Sequence, residues 1–347
     1  MSVLSGCPKT QIVEVESLDA LPFRELAALN SPVIVKNIAG RWPIVEAGKC
    51  SHHEVMSYLE GFYSGRPVTL YTLAPEHQGQ PFYDENLTGM NYTAERVPLQ
   101  KFFDLVRETF DIEGLKNGYY VGSTDQNQFF PGLDAENGLK LETYSLFESG
   151  PVLSSLWMGG QTTARAHYDM SNNIAFCVAG KRRFILFPPD QIHNLYPGPL
   201  APTPGGQVLT MVDIHKPDFE KYPKFEEAIK HAQIAELEPG DMLMYPALWW
   251  HQVEALAQFN ILLNYWWNSV PSFADSPMNT LLHGLISLRD RPQSEKDAWR
   301  EVFDYYVFKD GGNSASHLPE HARGPLGEMD GHIARQLRAQ LLQKLNR

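Results

Sequence analysis

Ala166-His167-Tyr168-Asp169-Met170, taken together with Trp249-Trp250-His251, is the part of this chain that says most about its fold. On a strand, residues two apart point the same way, so His167 and Asp169 would face one side together. His251 follows a Pro239-Gly240-Asp241 turn and the apolar run Met242 to Tyr245, as a residue on a second strand would. A His-x-Asp pair with a distant His is the ligand set of the two-histidine, one-carboxylate triad. That triad grips a non-haem Fe(II) by one face and leaves the opposite positions open. It needs neutral imidazoles and an ionised carboxylate, because a protonated ligand has no lone pair to give. The sequence therefore predicts that His167, Asp169 and His251 converge on one metal. The other ten histidines, among them His52, His53, His77 and His215, carry no partner pattern.

The flanks of these residues suggest the scaffold. From about residue 151 to 270 the chain consists of short apolar runs bounded by Gly and Pro, such as Phe184-Ile185-Leu186-Phe187 before Pro188-Pro189. This pattern predicts a mainly β fold with a small antiparallel barrel or jelly roll. Residues 1–150 mix strand and helix signals and are expected to complete the barrel. Pro32 to Val35 is a β-branched run, and Leu99 to Phe110 has helical spacing. Tyr71 to Glu95 is polar and contains Gly and Pro, and it reads as a long, lid-like loop. Residues 271–347 shift to a helical period. Asp275-Ser276-Pro277 opens a helix with an apolar face of Met278, Leu281, Leu282, Leu285 and Leu288. Trp299 to Val307 gives a second face, and a Gly-, Ser- and Pro-containing connector from Gly311 to Gly327 leads to a third helix. Three apolar faces exceed what one barrel need cover, so a homodimer through this C-terminal region is expected.

Composition narrows the partners. The 347 residues carry 29 Lys and Arg against 41 Asp and Glu, a net charge of −12. Affinity for duplex nucleic acid rests on neutralising phosphates, so such a partner is not expected. Cys7, Cys50 and Cys177 form neither a zinc pattern nor a disulfide framework. Neither a secretory leader nor an apolar run of roughly 20 residues is evident. These features together read as a soluble cytoplasmic protein with reduced thiols.

The stretch from Ala166 to Asp169, with Asn173, Gly180-Lys181-Arg182-Arg183, Phe187-Pro188-Pro189-Asp190-Gln191 and Leu195-Tyr196-Pro197, resembles the cupin-like, Jumonji-type 2-oxoglutarate oxygenases. That family includes the asparaginyl hydroxylase acting on hypoxia-inducible factor. The similarity continues through Pro239-Gly240-Asp241, Trp249-Trp250-His251 and Asn264-Tyr265-Trp266, and more weakly through Ser31 to Trp42 and the helical tail. It implies a double-stranded β-helix core using Fe(II), 2-oxoglutarate and O₂ to hydroxylate an unactivated C–H bond of a protein side chain or small molecule. In relatives a Lys two residues beyond the Gly holds the far carboxylate of the co-substrate. Arg182 occupies that place here, and its planar fork also matches a carboxylate. The resemblance further implies co-substrate contacts from Tyr120, Asn173, Asn264 and Thr163, the last through a one-residue shift because position 164 is Ala. It places Trp266 on the substrate side of the metal and Tyr83 over the mouth of the site. Val208 and Leu209 replace the polar Arg-Gln pair with which the asparaginyl hydroxylase grips an amide, which argues against asparagine as the target. Two other readings stay open at this point. One is a metal-binding cupin with non-oxidative chemistry, such as an isomerase or hydrolase, and the other is a non-catalytic binding cupin.

Overall fold

A computed structural model describes residues 3–148, 150–308 and 315–346. They form two compact units, Met1–Ser269 and Val270–Arg347. The first unit begins with two short strands, β1 (Gln11–Ile12) and β2 (Val33–Val35), and with helices α1 (Phe23–Ala28), α2 (Pro43–Cys50) and α3 (His52–Glu60). Next come β3 (Val68–Leu73), β4 (Tyr92–Val97), α4 (Leu99–Arg107), β5 (Gly118–Asp125) and the short α5 (Gln126–Phe129).

The jelly-roll core occupies the rest of the unit. Its strands are β6 (Leu153–Gly159), β7 (Thr163–Tyr168), β8 (Asn172–Ala179), β9 (Arg182–Phe187), β10 (Gln233–Leu237), β11 (Met242–Tyr245), β12 (Trp250–Ala255) and β13 (Asn260–Trp267). They divide between two sheets. The smaller runs β10-β9-β12-β7, and the larger contains β11-β8-β13-β6 at its centre. The N-terminal strands extend the larger sheet at both margins, with β2 and β1 beyond β11 and with β5, β3 and β4 beyond β6.

Side-chain alternation sorts the core into three layers. Between the sheets lie Ala175, Cys177, Phe184, Leu186, Leu243, Tyr245 and Leu262, drawn from both. The outer face of the larger sheet is covered by the N-terminal helices. α4 shows why: Leu99, Phe102, Phe103 and Val106 fall on one helical stripe and are fully buried. At roughly 1.5–3 kcal/mol for each large apolar side chain, that stripe holds the helix against the sheet. The outer face of the smaller sheet is covered by residues of the long β9–β10 connection, including Val212, Ile214 and Phe225, the last on α6 (Phe225–His231).

The expected loop from Tyr71 to Glu95 is shorter in the structure. β3 runs to Leu73 and β4 begins at Tyr92, leaving residues 74–91 between them. β4 is an edge strand whose residues are mostly exposed, so it lacks the apolar alternation that marks a half-buried strand. Glu95 and Arg96 put charge on that edge, which discourages pairing with another chain.

The second unit contains α7 (Pro277–Ser287), α8 (Gln293–Phe303) and α9 (Gly331–Leu345). Ser276 caps α7 by accepting from the Met278 N–H, with Pro277 in the first turn. Residues 304–308 continue α8 as a π-helical turn. Of the connector, residues 311–314 lie outside the described residues, and 315–327 form short turns.

The turn between β8 and β9 sets the start of β9, where Arg182 lies. Gly180 has φ +75°, and a Cβ there would sit 2.6 Å from the Phe259 carbonyl oxygen and closer still to the Asn260 side-chain oxygen. A left-handed residue with a side chain costs about 1–3 kcal/mol before any clash is counted. Gly180→Ala should therefore lower the thermal unfolding midpoint by several degrees. An unchanged midpoint would contradict this reading of the turn.

Candidate metal and co-substrate site

Between the two sheets lies a cavity of about 430 Å³, within the usual range for small-molecule sites. His167 and Asp169, on and just after β7, and His251 on β12 all line it. β7 and β12 are antiparallel neighbours, and His251 pairs directly with His167 across the ladder. Their rings are 4.3 Å apart, and the potential ligand atoms of the three residues lie within 4.8 Å of one another. This is the one such cluster among the described residues. Leu248, at φ +66°, turns the chain into β12, and its N–H donates to the Asp169 carbonyl at 2.8 Å. That bond ties the start of one ligand strand to the end of the other.

Backbone carbonyls set both histidines. Nδ1 of His167 is 2.8 Å from the Arg165 carbonyl oxygen, and Nδ1 of His251 is 2.9 Å from that of Trp249. A carbonyl can only accept, so each Nδ1 carries a proton, which in a neutral ring leaves the lone pair on Nε2. Burial, with His167 alongside, pushes the His251 pKa down to about 4 against a smaller opposing pull from Asp169. A neutral His251 is what a metal requires.

Asp169 is oriented by donors. Its Oδ2 accepts from Asn173 Nδ2 at 3.1 Å and from Trp266 Nε1 at 3.1 Å. Asn173 Oδ1 in turn accepts from Asn264 Nδ2 at 3.4 Å, and Asn264 Oδ1 accepts from Trp157 Nε1 at 2.7 Å. Asn173, Asn264 and Trp266 are thus brought to the site, and all three line the cavity. The bonds to Asp169 from Asn173 and Trp266, with Asn264 behind Asn173, fix the carboxylate in the way outer partners fix metal ligands.

Arg182 opens β9 and faces the same cavity, beside Tyr120. It is 3% exposed, and neither its Nε nor its Nη2 has a hydrogen-bond partner. Burial holds its pKa below the ordinary value, with Tyr120 and Cys177 pulling the other way. Burial likewise raises the Tyr120 phenol well above its usual range, so it stays a neutral donor. The neighbouring cations point elsewhere: Lys181 pairs with Glu238 at 2.8 Å, and Arg183 pairs with Glu236 at 3.2 Å.

Two residues depart from expectation. Thr163 does not line the cavity, whereas Thr162 and Ala164 do. The cause is a β-bulge: Val253 pairs with Ala164 and His251 with His167, so Arg165 and Ala166 together face Gln252. One extra residue reverses the alternation of β7, so the threonine that faces inward is Thr162. Tyr83 is buried to 3% exposure, donates to the Pro199 carbonyl oxygen at 3.4 Å and lies outside the cavity wall. It fastens the β3–β4 connection to the β9–β10 connection, and Pro81 supplies the cavity contact instead.

Sequence reasoning missed several wall residues. Tyr71, Tyr92 and Tyr245 are aromatic walls, and Arg165 and Gln207 are polar groups at the cavity's side. Arg165 shares the parity of His167, two residues on, which was a usable signal. His215 bonds Glu254 instead of any metal ligand, and this raises its pKa.

A two-histidine, one-carboxylate cluster in a jelly-roll cavity is a donor set that could hold a metal ion, on the scaffold of a cupin. Residues 19–273 match the model of the cupin-like domain, and the chain belongs to that family. Among similar proteins is tRNA wybutosine-synthesizing protein 5 of Gallus gallus, 26% identical over 280 residues, covering 75% of this chain and 79% of the relative. HSPB1-associated protein 1 of Bos taurus is 34% identical over 257 residues, 70% of this chain and 49% of the relative. Lysine-specific demethylase JMJ31 of Arabidopsis thaliana is 31% identical over 126 residues, 35% of this chain and 22% of the relative. The chain thus matches about half or less of the length of the last two. At family level these relatives support a 2-oxoglutarate oxygenase.

The bond from Trp266 to Asp169 generates a test. Trp266→Phe keeps the ring and removes the donor, so metal affinity should fall about 10- to 100-fold. Anaerobic competition for Fe(II) against a chelator of known affinity would measure it. Unchanged affinity would mean that Trp266 is only a wall.

Proposed function

We propose that this chain is an Fe(II)- and 2-oxoglutarate-dependent oxygenase that hydroxylates an unactivated C–H bond. Arg182 carries the reading. A buried guanidinium without an anion is costly, and buried donors are rarely left unmatched. In the same cavity as the His167, Asp169 and His251 cluster, that cation calls for a carboxylate-bearing co-substrate.

In this reading His167, Asp169 and His251 hold Fe(II), and the bound metal with 2-oxoglutarate supplies O₂ activation coupled to decarboxylation to succinate. The protein's own part is positioning and exclusion. Arg182 takes the carboxylate remote from the metal in a bidentate grip. Tyr120, Thr162 and Asn264 stand along the co-substrate's path as hydrogen-bonding groups. Trp266, Asn173 and the carbonyls of Arg165 and Trp249 keep the metal ligands in one geometry. The aromatic walls Tyr71, Trp157 and Tyr245 keep water from the reacting carbon.

The substrate is a protein side chain or a small molecule. The relatives' names point to tRNA and to lysine, and the apolar Leu209 in the cavity wall argues against a side-chain amide. We also propose that two copies pair through the helices of residues 270–347. None of α7, α8 or α9 has a buried residue, and Ile286 and Phe308 are 85% and 73% exposed.

Calorimetry with Mn(II)-loaded protein tests the first reading. Arg182→Gln should weaken 2-oxoglutarate binding by at least about tenfold while the metal stays bound, as expected for loss of a charge-assisted pair. Wild-type protein that holds metal but has no affinity for 2-oxoglutarate would favour a cupin with non-oxidative chemistry. For the second, light scattering should give the mass of a dimer, and a monomeric mass would dismiss the pairing.

A further inference from the structure

We propose that Arg165 is a second anion site in this cavity, anchoring a small-molecule substrate that bears a carboxylate or phosphate group. The inference rests on the reading of the triad as a Fe(II) centre and of Arg182 as the keto-acid anchor, and it names the substrate class for that same site.

The cavity's charges are few enough to account for one by one. Besides the two histidines, its wall carries three charged side chains, Asp169, Arg165 and Arg182. A divalent metal and a keto-acid dianion cancel each other, and Asp169 offsets one arginine. One positive charge is left over. Arg182 faces the co-substrate, so the remaining charge belongs to Arg165. A cation kept in the wall of a cavity, in a chain whose net charge is −12, is a local invitation to an anion.

The surroundings of Arg165 hold its side chain in place, with one acid, Asp213, at ion-pair distance. Its guanidinium carbon lies 4.0 Å from the centre of the Phe82 ring, so one face is stacked. Nε donates to Gln80 Oε1 at 3.3 Å. Nη2 is 3.9 Å from Asp213 Oδ2, at the outer limit of an ion pair, and Asp213 is not part of the cavity wall. The Asp213 side chain is 39% exposed, which weakens its hold on the arginine. Neither polar contact uses Nη1. Strand alternation from His167, two residues on, turns Arg165 into the wall, and the bulge begins only beyond it. An anion on Arg165 would therefore sit beside the metal ligands, with the rest of the substrate directed over them.

The walls describe that rest. Tyr71 and Tyr92 line the cavity and meet edge to face at 5.2 Å, and Pro81, Pro204 and Leu209 add apolar surface. Gln207 is the further polar group on the β9–β10 connection. The cavity, about 430 Å³ in all, must also hold the keto acid. What fits is a compact molecule with an apolar or aromatic body and one anionic head.

The test uses full-length Mn(II)-loaded protein saturated with 2-oxoglutarate, following the fluorescence of the cavity tryptophans Trp157 and Trp266. The probes are phenylacetate, phenyl phosphate and the neutral phenylacetamide. At least one anionic probe should bind the wild type, and the tighter of the two identifies the head group. Arg165→Gln should weaken it by at least about tenfold. Arg165→Lys should retain most of the affinity, and phenylacetamide should not distinguish the variants. Equal affinity of wild type and Arg165→Gln for both anions, or no binding of either to wild type, overturns the proposal. So does loss of 2-oxoglutarate binding in Arg165→Gln but not in Arg182→Gln, because Arg165 would then be the co-substrate's anchor. Absence of 2-oxoglutarate binding in wild type would instead sink the oxygenase reading, and the anion titrations would then be repeated on metal-loaded protein without keto acid.

Discussion

Asp169 and Arg182 are opposite charges that line one cavity without meeting. Asp169 is a carboxylate held by neutral donors, Asn173 and Trp266, and its histidine neighbour His251, 3.6 Å away, is kept neutral by burial. Arg182 is a guanidinium with no acid opposite it. Folding two such groups into an apolar interior and then keeping them apart is costly. The arrangement makes physical sense as the template for two ligands of opposite sign, a cation at Asp169 and an anion at Arg182.

The jelly roll makes this separation feasible. Arg182 pairs with Ala255 on β12, four residues along the strand from His251. A single inward face of two neighbouring strands thus presents the candidate metal ligand His251 at one level and the cation at another. Antiparallel pairing of β7 with β12 then sets His167 against His251, and the strand period brings Asp169 to the same side. The N-terminal helices and the β9–β10 connection cover the outer faces, so the polar groups of the interior lie deep between the sheets.

Much of this was legible because strand parity is a strict rule. The i and i+2 spacing of His167 and Asp169, the Gly180-x-Arg182 spacing and the turn before β11 each survive in the structure in the form the sequence suggests. The same rule failed where the ladder breaks. Thr163 is the inward residue only if β7 is regular, and the bulge at Arg165 and Ala166 hands that place to Thr162. A bulge has no signature in a sequence without glycine at the site. β4 escaped notice because an edge strand with both faces wet has no apolar alternation. Tyr83, set by the resemblance over the mouth, is instead buried in a contact between two connections, which no periodicity describes. Gln207 lies on an irregular connection for the same reason, while Arg165 was within reach of the parity argument.

The account stands or falls on whether an anion that reaches Arg182 also coordinates the metal held by Asp169 and the two histidines. Anaerobic addition of 2-oxoglutarate to Fe(II)-loaded protein, followed by visible absorption, asks this directly. A weak metal-to-ligand charge-transfer band that grows with keto acid and saturates is the predicted result. Iron demonstrably bound, with no such band at any keto-acid concentration, would contradict it.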